Sequence, residues 1–321
     1  MIAMASDKIK RALISTLAIS LTVIIILFLI RSIDLSVLLN VLRSIDLTYL
    51  ALIFLTTLTT IPVIAKRYQS IMAHMGCNIS FSRILSVNLA AYPLVALTPS
   101  MSGSVIKGYY LKNEAPPSKT IVGIVAERTF DMTLLAILLL AGILISFNME
   151  RAIIGVSILI AIITGIALMG RVSEKLQKGV LNKVSSALEA SFNILRNLNS
   201  LLEVAFYTLI YWCLSLFQTY LAFHAVGGNI TAREVIVDIP LGILAGQLPI
   251  TVSGVGTRDA VFVVLFSDLI QYEVILAAGL VYTTFKYWVP SLLGIPFMII
   301  ENHKSTRAIV KKDGEASVEK A

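Results

Sequence analysis

The chain has 321 residues, 57% of them hydrophobic and 14% charged, with a formal charge of +7 and a mean hydropathy of +0.87. A soluble domain of this length needs a far more polar surface, so the composition excludes a soluble catalytic domain and indicates an integral membrane protein. The basic residues are scattered between apolar runs, which argues against a nucleic-acid partner; two cysteines, Cys77 and Cys213, and three isolated histidines argue against a disulfide framework, a metal site or a cofactor.

In chain order, Lys8, Lys10 and Arg11 close a cytoplasmic N-terminus (1–11) before the uncharged run Ala12–Ile30, long enough to cross about 30 Å of hydrocarbon and lacking the cleavage site of a signal peptide. Arg31-Ser32-Ile33-Asp34-Leu35 is echoed by Arg43-Ser44-Ile45-Asp46-Leu47 around a short interfacial helix at Ser36–Leu42. Leu47–Ala65 reads as span two, stopped by Lys66 and Arg67. From Ser82 the chain is apolar but interrupted by Pro93 and Pro99, and continues Ser100-Met101-Ser102-Gly103-Ser104-Val105-Ile106-Lys107, too broken for an ordinary span. Spans three to six are predicted at Thr120–Phe147, Ala152–Met169, Val204–Ala225 and Val274–Ile300. Between spans four and five, apolar residues recur every four from Val172 to Phe192, which predicts an amphipathic surface helix over about 171–200. The charged tail 301–321 reads as disordered and cytoplasmic.

Between spans five and six lies a second broken stretch, Leu248-Pro249-Ile250-Thr251-Val252-Ser253-Gly254-Val255-Gly256-Thr257-Arg258-Asp259. A helix starting near Thr257 would offer free backbone N–H groups, with Arg258 beside them, to an oxyanion; Ser253, Gly254, Gly256, Arg258 and Asp259 are therefore candidate substrate contacts. The two stretches share a helix breaker followed by Ser-Gly-x-x-x-basic, ending at Lys107 and Arg258. The predicted architecture is accordingly all-α and polytopic. About six full transmembrane helices and two broken re-entrant hairpins form two membrane repeats, 12–147 and 152–300, inverted relative to one another. With the N-terminus inside, inner segments carry 19 Lys/Arg and outer segments 5, placing both termini in the cytoplasm of a plasma-membrane protein.

Ionisable residues inside spans are costly and mark function by default. Glu127, Arg128 and Asp131 share one stretch of span three, and Lys286 lies in span six beside Tyr287 and Trp288. With Lys107 they complete the candidate binding set, against a bland alternative in which they form a structural ion cluster or, for Lys286, reach the interface. No nucleophile–base pair, metal-ligand spacing or nucleotide-binding loop is legible, so an enzyme is not expected.

The runs Pro99…Gly103…Lys107, Ala126-Glu127-Arg128-Thr129-Phe130-Asp131 and Leu248-Pro249-Ile250…Gly254-Val255-Gly256-Thr257-Arg258-Asp259 resemble the flippase-like membrane domain of bacterial lysylphosphatidylglycerol synthases, a likeness spanning about residues 12–300. Ser104 and Asp259 stand where that family often has an acidic residue and a glutamate. The resemblance implies movement of an anionic or aminoacylated phospholipid, or of a polyprenyl-phosphate-linked lipid, between leaflets. The rival expectations are a secondary transporter of a small anion and a non-catalytic membrane partner of a glycosyltransferase or lipid-modifying enzyme. Membrane lipids with anionic head groups are the expected partners, alongside an enzyme partner or a second copy of the chain.

Overall fold

The computed structural model describes residues 35–98, 102–146, 197–248 and 251–318. Predicted spans one and four, nearly all of the surface helix, and both Pro99 and Pro249 lie outside the described residues. Within them all regular structure is helical. The short α1 (Leu35–Arg43) leads to α2 (Leu47–His74), whose start is fixed by the Asp46 carboxylate accepting from Thr48 N–H at 2.7 Å. Next come α3 (Phe81–Leu97), a 3₁₀ turn (Ser102–Val105), α4 (Ile106–Tyr110) and α5 (Pro117–Ser146). The second part contains α6 (Leu198–Ala225), α7 (Ala232–Val237), α8 (Ile239–Gln247), α9 (Thr257–Phe266), α10 (Tyr272–Thr283), a π-helical segment (Thr284–Trp288) and α11 (Val289–Val318).

Helices α2 and α6 are the two described helices that pass a length-and-hydropathy test for crossing a membrane, each 28 residues or about 42 Å at 1.5 Å per residue. Their surfaces are arranged for lipid. Leu52, Phe54, Leu55 and Leu58 of α2 and Leu198, Leu202, Phe206, Leu209 and Phe217 of α6 are exposed, whereas Thr57, Thr60, Arg67, Ser70, Thr208, Ser215, Gln218 and Thr219 are buried. A water-soluble helix would show the reverse, since its polar side chains belong outside. The two helices pack along each other, and Gln218 Nε2 donates across the seam to Thr57 Oγ1 at 2.9 Å. Several buried hydroxyls are satisfied within their own helices, as where Thr57 and Thr60 donate to the carbonyls of Ile53 and Thr56.

Three features differ from the sequence reading. Lys66 and Arg67 do not stop α2, which runs on to His74; Arg67 is 2% exposed and faces protein rather than an aqueous loop. Span six is continuous helix interrupted by the π-helical turn that carries Lys286, a common place for a functional side chain because the extra residue per turn re-aims the helix. The tail after residue 300 continues as helix to Val318, as its good helix formers Lys, Arg, Glu and Ala allow, and Arg83 Nη1 anchors its first turn to Glu301 Oε2 at 2.6 Å.

The helices also repeat. Leu47 and Leu198 begin the long helices and His74 and Ala225 end them; Gly76 and Gly227, both at positive φ, close them; Phe81 and Ala232 open the next helices. Each pair is 151 positions apart, as are Gly103 and Gly254, and Lys107 and Arg258. Both of the inner glycines let a returning chain lie directly on the backbone it has just left. A Cβ on Gly103 would collide with the backbone of Leu94 and Val95, and one on Gly254 (φ +70°) would stand 2.8 Å from the Gly246 carbonyl oxygen. The two turns meet, with Ser253 Oγ donating to the Ala96 carbonyl at 2.6 Å.

Candidate functional site

The candidate residues fall into two groups. The first surrounds a buried cavity of about 50 Å³ between α2, α3, α4, α5, α6 and the π-helical turn, room for a few waters by the usual yardstick. Two carboxylates on α5 organise it, four residues apart and hence on one face. Asp131 accepts from Arg67 Nη1 at 2.6 Å, from Trp212 Nε1 at 2.9 Å and from Arg128 Nη1 at 3.4 Å. Glu127 accepts from Arg67 Nη2 at 3.2 Å and from Lys107 Nζ at 3.5 Å. Arg67 stacks over the Tyr211 ring, 4.8 Å from its centroid, and Lys107 over Tyr68 at 4.2 Å.

Lys286 closes the cavity from the π-helical turn. Its ammonium donates to Ser215 Oγ at 2.9 Å and lies 4.2 Å from the Tyr211 ring centroid; among the described residues no carboxylate is within ion-pair distance of it. Four cations, Arg67, Lys107, Arg128 and Lys286, thus line the cavity with one carboxylate, Glu127, while Asp131 stands behind Arg67 and Arg128 as their ion-pair partner. Asn88 also lines it, 3% exposed, and neither its Oδ1 nor its Nδ2 has a hydrogen-bond partner among the described residues. Arg67 Nε is likewise unpartnered. A buried amide with both ends unmatched is rare in a finished core and expected where a ligand completes the bonding. Arg128 is the most accessible of the cations, its side chain 26% exposed and its Asp131 contact long.

The second group is self-contained. Arg258 pairs with Asp259 at 2.5 Å and donates to the Gly279 carbonyl at 3.0 Å and Thr283 Oγ1 at 2.9 Å, under the Tyr282 ring. The other oxygen of Asp259 accepts from Gly256 N–H at 2.9 Å, so the start of α9 is capped by its own chain. This corrects the expectation of free amides and a free arginine. Gly254, Gly256, Arg258 and Asp259 lock α8, α9 and α10 together and Ser253 ties the same turn to α3, while Lys107, Glu127, Arg128, Asp131 and Lys286 form the charged group. A smaller cavity of about 20 Å³ lies against Ser253 and Arg258, and Tyr211, Lys286 and Tyr287 line both cavities, forming the partition between them.

Sequence reasoning missed Arg67 and Asn88. Charge balance does not point to Arg67, because Lys107, Arg128 and Lys286 already outnumber Glu127 and Asp131. The structure also joins Ser200 Oγ to His74 Nδ1 at 2.9 Å and His74 Nε2 to Glu203 at 3.0 Å, a nucleophile–base series not foreseen from sequence. Ser200 is 4% exposed, and the adjacent cavity is lined by Glu203 but not by Ser200 or His74, so the series ties the end of α2 to the start of α6.

An apolar furrow of about 340 Å³ runs between α5 and α6, lined by Phe130, Leu134, Ile137, Leu201 and Ala205 among others. At 100° per residue Arg128 lies about 170° around α5 from the middle of this furrow, on the other side of the carboxylate face.

The sequence profile of the lysylphosphatidylglycerol synthase TM region matches residues 14–294. Three archaeal relatives share the similarity, each called a UPF0104 membrane protein. That of Methanocaldococcus jannaschii is 23% identical over 94% of this chain and 98% of its own, and that of Pyrococcus horikoshii is 19% identical over 75% and 83%. The Methanothermobacter thermautotrophicus protein is 25% identical over 62% of this chain and 69% of its own. The chain is a membrane protein belonging to the lysylphosphatidylglycerol synthase transmembrane-region family.

Proposed function

We propose that the chain moves the anionic head group of a lipid between leaflets of the plasma membrane, with the cavity bounded by Arg128, Lys107, Asn88 and Lys286 as its waypoint. The observation that carries this reading is the charge inventory around that cavity, four cations against two carboxylates beside an unmatched amide. Excess positive charge away from water is expensive and is offset by an anion that enters. The reading uses a polytopic arrangement of six spans with both termini cytoplasmic. Its two halves are inverted and their broken turns enter from opposite faces. The 151-position repeat and the contact between Ser253 and Ala96 support it. The two cavities on either side of Tyr211, Lys286 and Tyr287 suit alternate exposure of one site to the two faces.

The family takes its name from a synthase of lysylphosphatidylglycerol, a phospholipid, which favours a lipid over a small soluble anion. Arg128, the most accessible of the cavity's cations, is placed to hold the phosphate while the acyl chains stay in the bilayer. Arg128 contributes an accessible cation with one long ion-pair contact, and Glu127, Asp131 and Arg67 hold α5 in place beside it.

In proteoliposomes, a labelled anionic phospholipid is expected to exchange between leaflets with the native protein and to slow at least about tenfold with Arg128→Ala, at unchanged thermal stability. Equal rates for the two would sink the reading. Uptake of a soluble anion without lipid exchange would point to the small-anion transporter, and no flux of either kind to a membrane partner of another enzyme.

A further inference from the structure

The magnitude of the charge imbalance, and not only its sign, constrains the ligand. Every charged group facing the cavity is accounted for among the described residues. Arg67 comes from α2, Lys107 from α4, Glu127 and Arg128 from α5 and Lys286 from the π-helical turn; with Asp131, which stands behind Arg67 and Arg128, counted in, two positive charges are left uncompensated. The two cations in excess approach from different sides. Lys286 has only a hydroxyl and aromatic faces as partners, and Arg128 holds a long contact to a carboxylate already bound by Arg67. Asn88 lines the same cavity, and neither its donor Nδ2 nor its acceptor Oδ1 has a partner among the described residues.

A phosphodiester carries one negative charge, whereas a terminal phosphate monoester carries about −1.5 to −2 at pH 7 and presents three strong acceptor oxygens. As a dianion it carries no O–H, so Asn88 meets it through its Nδ2 donor. We propose that the cavity selects a phosphate monoester dianion over a phosphodiester monoanion, so that the lipid carried ends in a phosphate group. This rests on the transport reading above. The same dianion could be free inorganic phosphate, and the experiment separates the sources.

Proteoliposomes containing the full chain are loaded with acyl-labelled phosphatidate or with acyl-labelled phosphatidylglycerol, and leaflet exchange is followed by a membrane-impermeant quencher. Uptake of inorganic phosphate is measured in parallel. The native protein is expected to exchange phosphatidate at least about tenfold faster than phosphatidylglycerol, and Lys286→Gln, which lowers the excess charge to one, to bring the two rates within about threefold. Lys107→Gln makes the same charge change on α4 and is expected to act in the same direction, which covers the case where one variant fails to fold. Equal exchange of both lipids by the native protein would overturn the dianion preference while leaving lipid transport standing. Phosphate uptake without lipid exchange would overturn the lipid source and keep the dianion. No flux of any of the three would overturn both.

Discussion

Arg67→Met is expected to be among the most damaging single substitutions in the protein, lowering stability by about 3–5 kcal/mol, the usual cost of leaving a buried ionic partner uncompensated. Arg67 is 2% exposed and its guanidinium spans both carboxylates, 2.6 Å from Asp131 and 3.2 Å from Glu127. Without it Asp131 keeps only Trp212 and the 3.4 Å contact to Arg128, and Glu127 only the 3.5 Å contact to Lys107. Arg67→Lys is expected to recover little, since an ammonium cannot bridge two carboxylates as a planar fork does. The double variant Arg67→Met with Asp131→Asn is expected to recover part of the loss. Thermal unfolding in detergent followed by size exclusion measures all three, and a midpoint for Arg67→Met equal to the native one would contradict the account.

Lys286→Met is expected to act in the opposite sense on stability and to cost function. Lys286 is buried with no carboxylate in reach among the described residues, so an apolar side chain of similar length removes an uncompensated charge and is expected to leave the unfolding midpoint unchanged or raised. Ser215 keeps the Tyr282 hydroxyl at 3.4 Å as a partner, so nothing new is orphaned. Leaflet exchange of an anionic lipid is expected to fall at least about tenfold in the same variant. Separating the two readouts distinguishes a residue kept for its ligand from one kept for the fold. A variant both less stable and fully active would reverse the assignment.

The two halves of the protein are alike in backbone and unlike in charge. At the 151-position spacing, Glu127, Arg128 and Asp131 correspond to Ala278, Gly279 and Tyr282, while Lys286 corresponds to Leu135. The first half supplies the carboxylates that assemble the site and the second the lone lysine that partitions it. Gly279 has a separate duty, as its carbonyl and missing side chain make room for the Arg258–Asp259 pair.

Much of this was legible in the sequence because lipid imposes simple demands. Apolar runs of the right length, the intramembrane Glu127, Arg128, Asp131 and Lys286, and the paired glycine turns can all be read without coordinates. What sequence could not give was partnership. Arg67 follows Lys66 at the end of an apolar run, where a basic pair ordinarily marks a helix leaving the membrane; only the packing of α2 against α5 and α6 reveals it as the central cation. Arg258 looked free because the Asp259 beside it was read as a possible ligand contact, whereas the local turn folds that carboxylate back onto both Arg258 and Gly256 N–H. Asn88 carries no signal in the sequence, since an amide in an apolar helix becomes informative only when its surroundings are seen to leave it unpaired.

The most direct test of the central claim is a high-resolution structure of the protein in lipid nanodiscs supplied with a phosphate-ended lipid. Tetrahedral density within hydrogen-bonding distance of Arg128 and the Asn88 amide, its lipid tail leading out of the cavity into the bilayer, is the predicted result. A cavity filled by water alone at saturating lipid, with Arg128 turned to Asp131 as its sole partner, would contradict it.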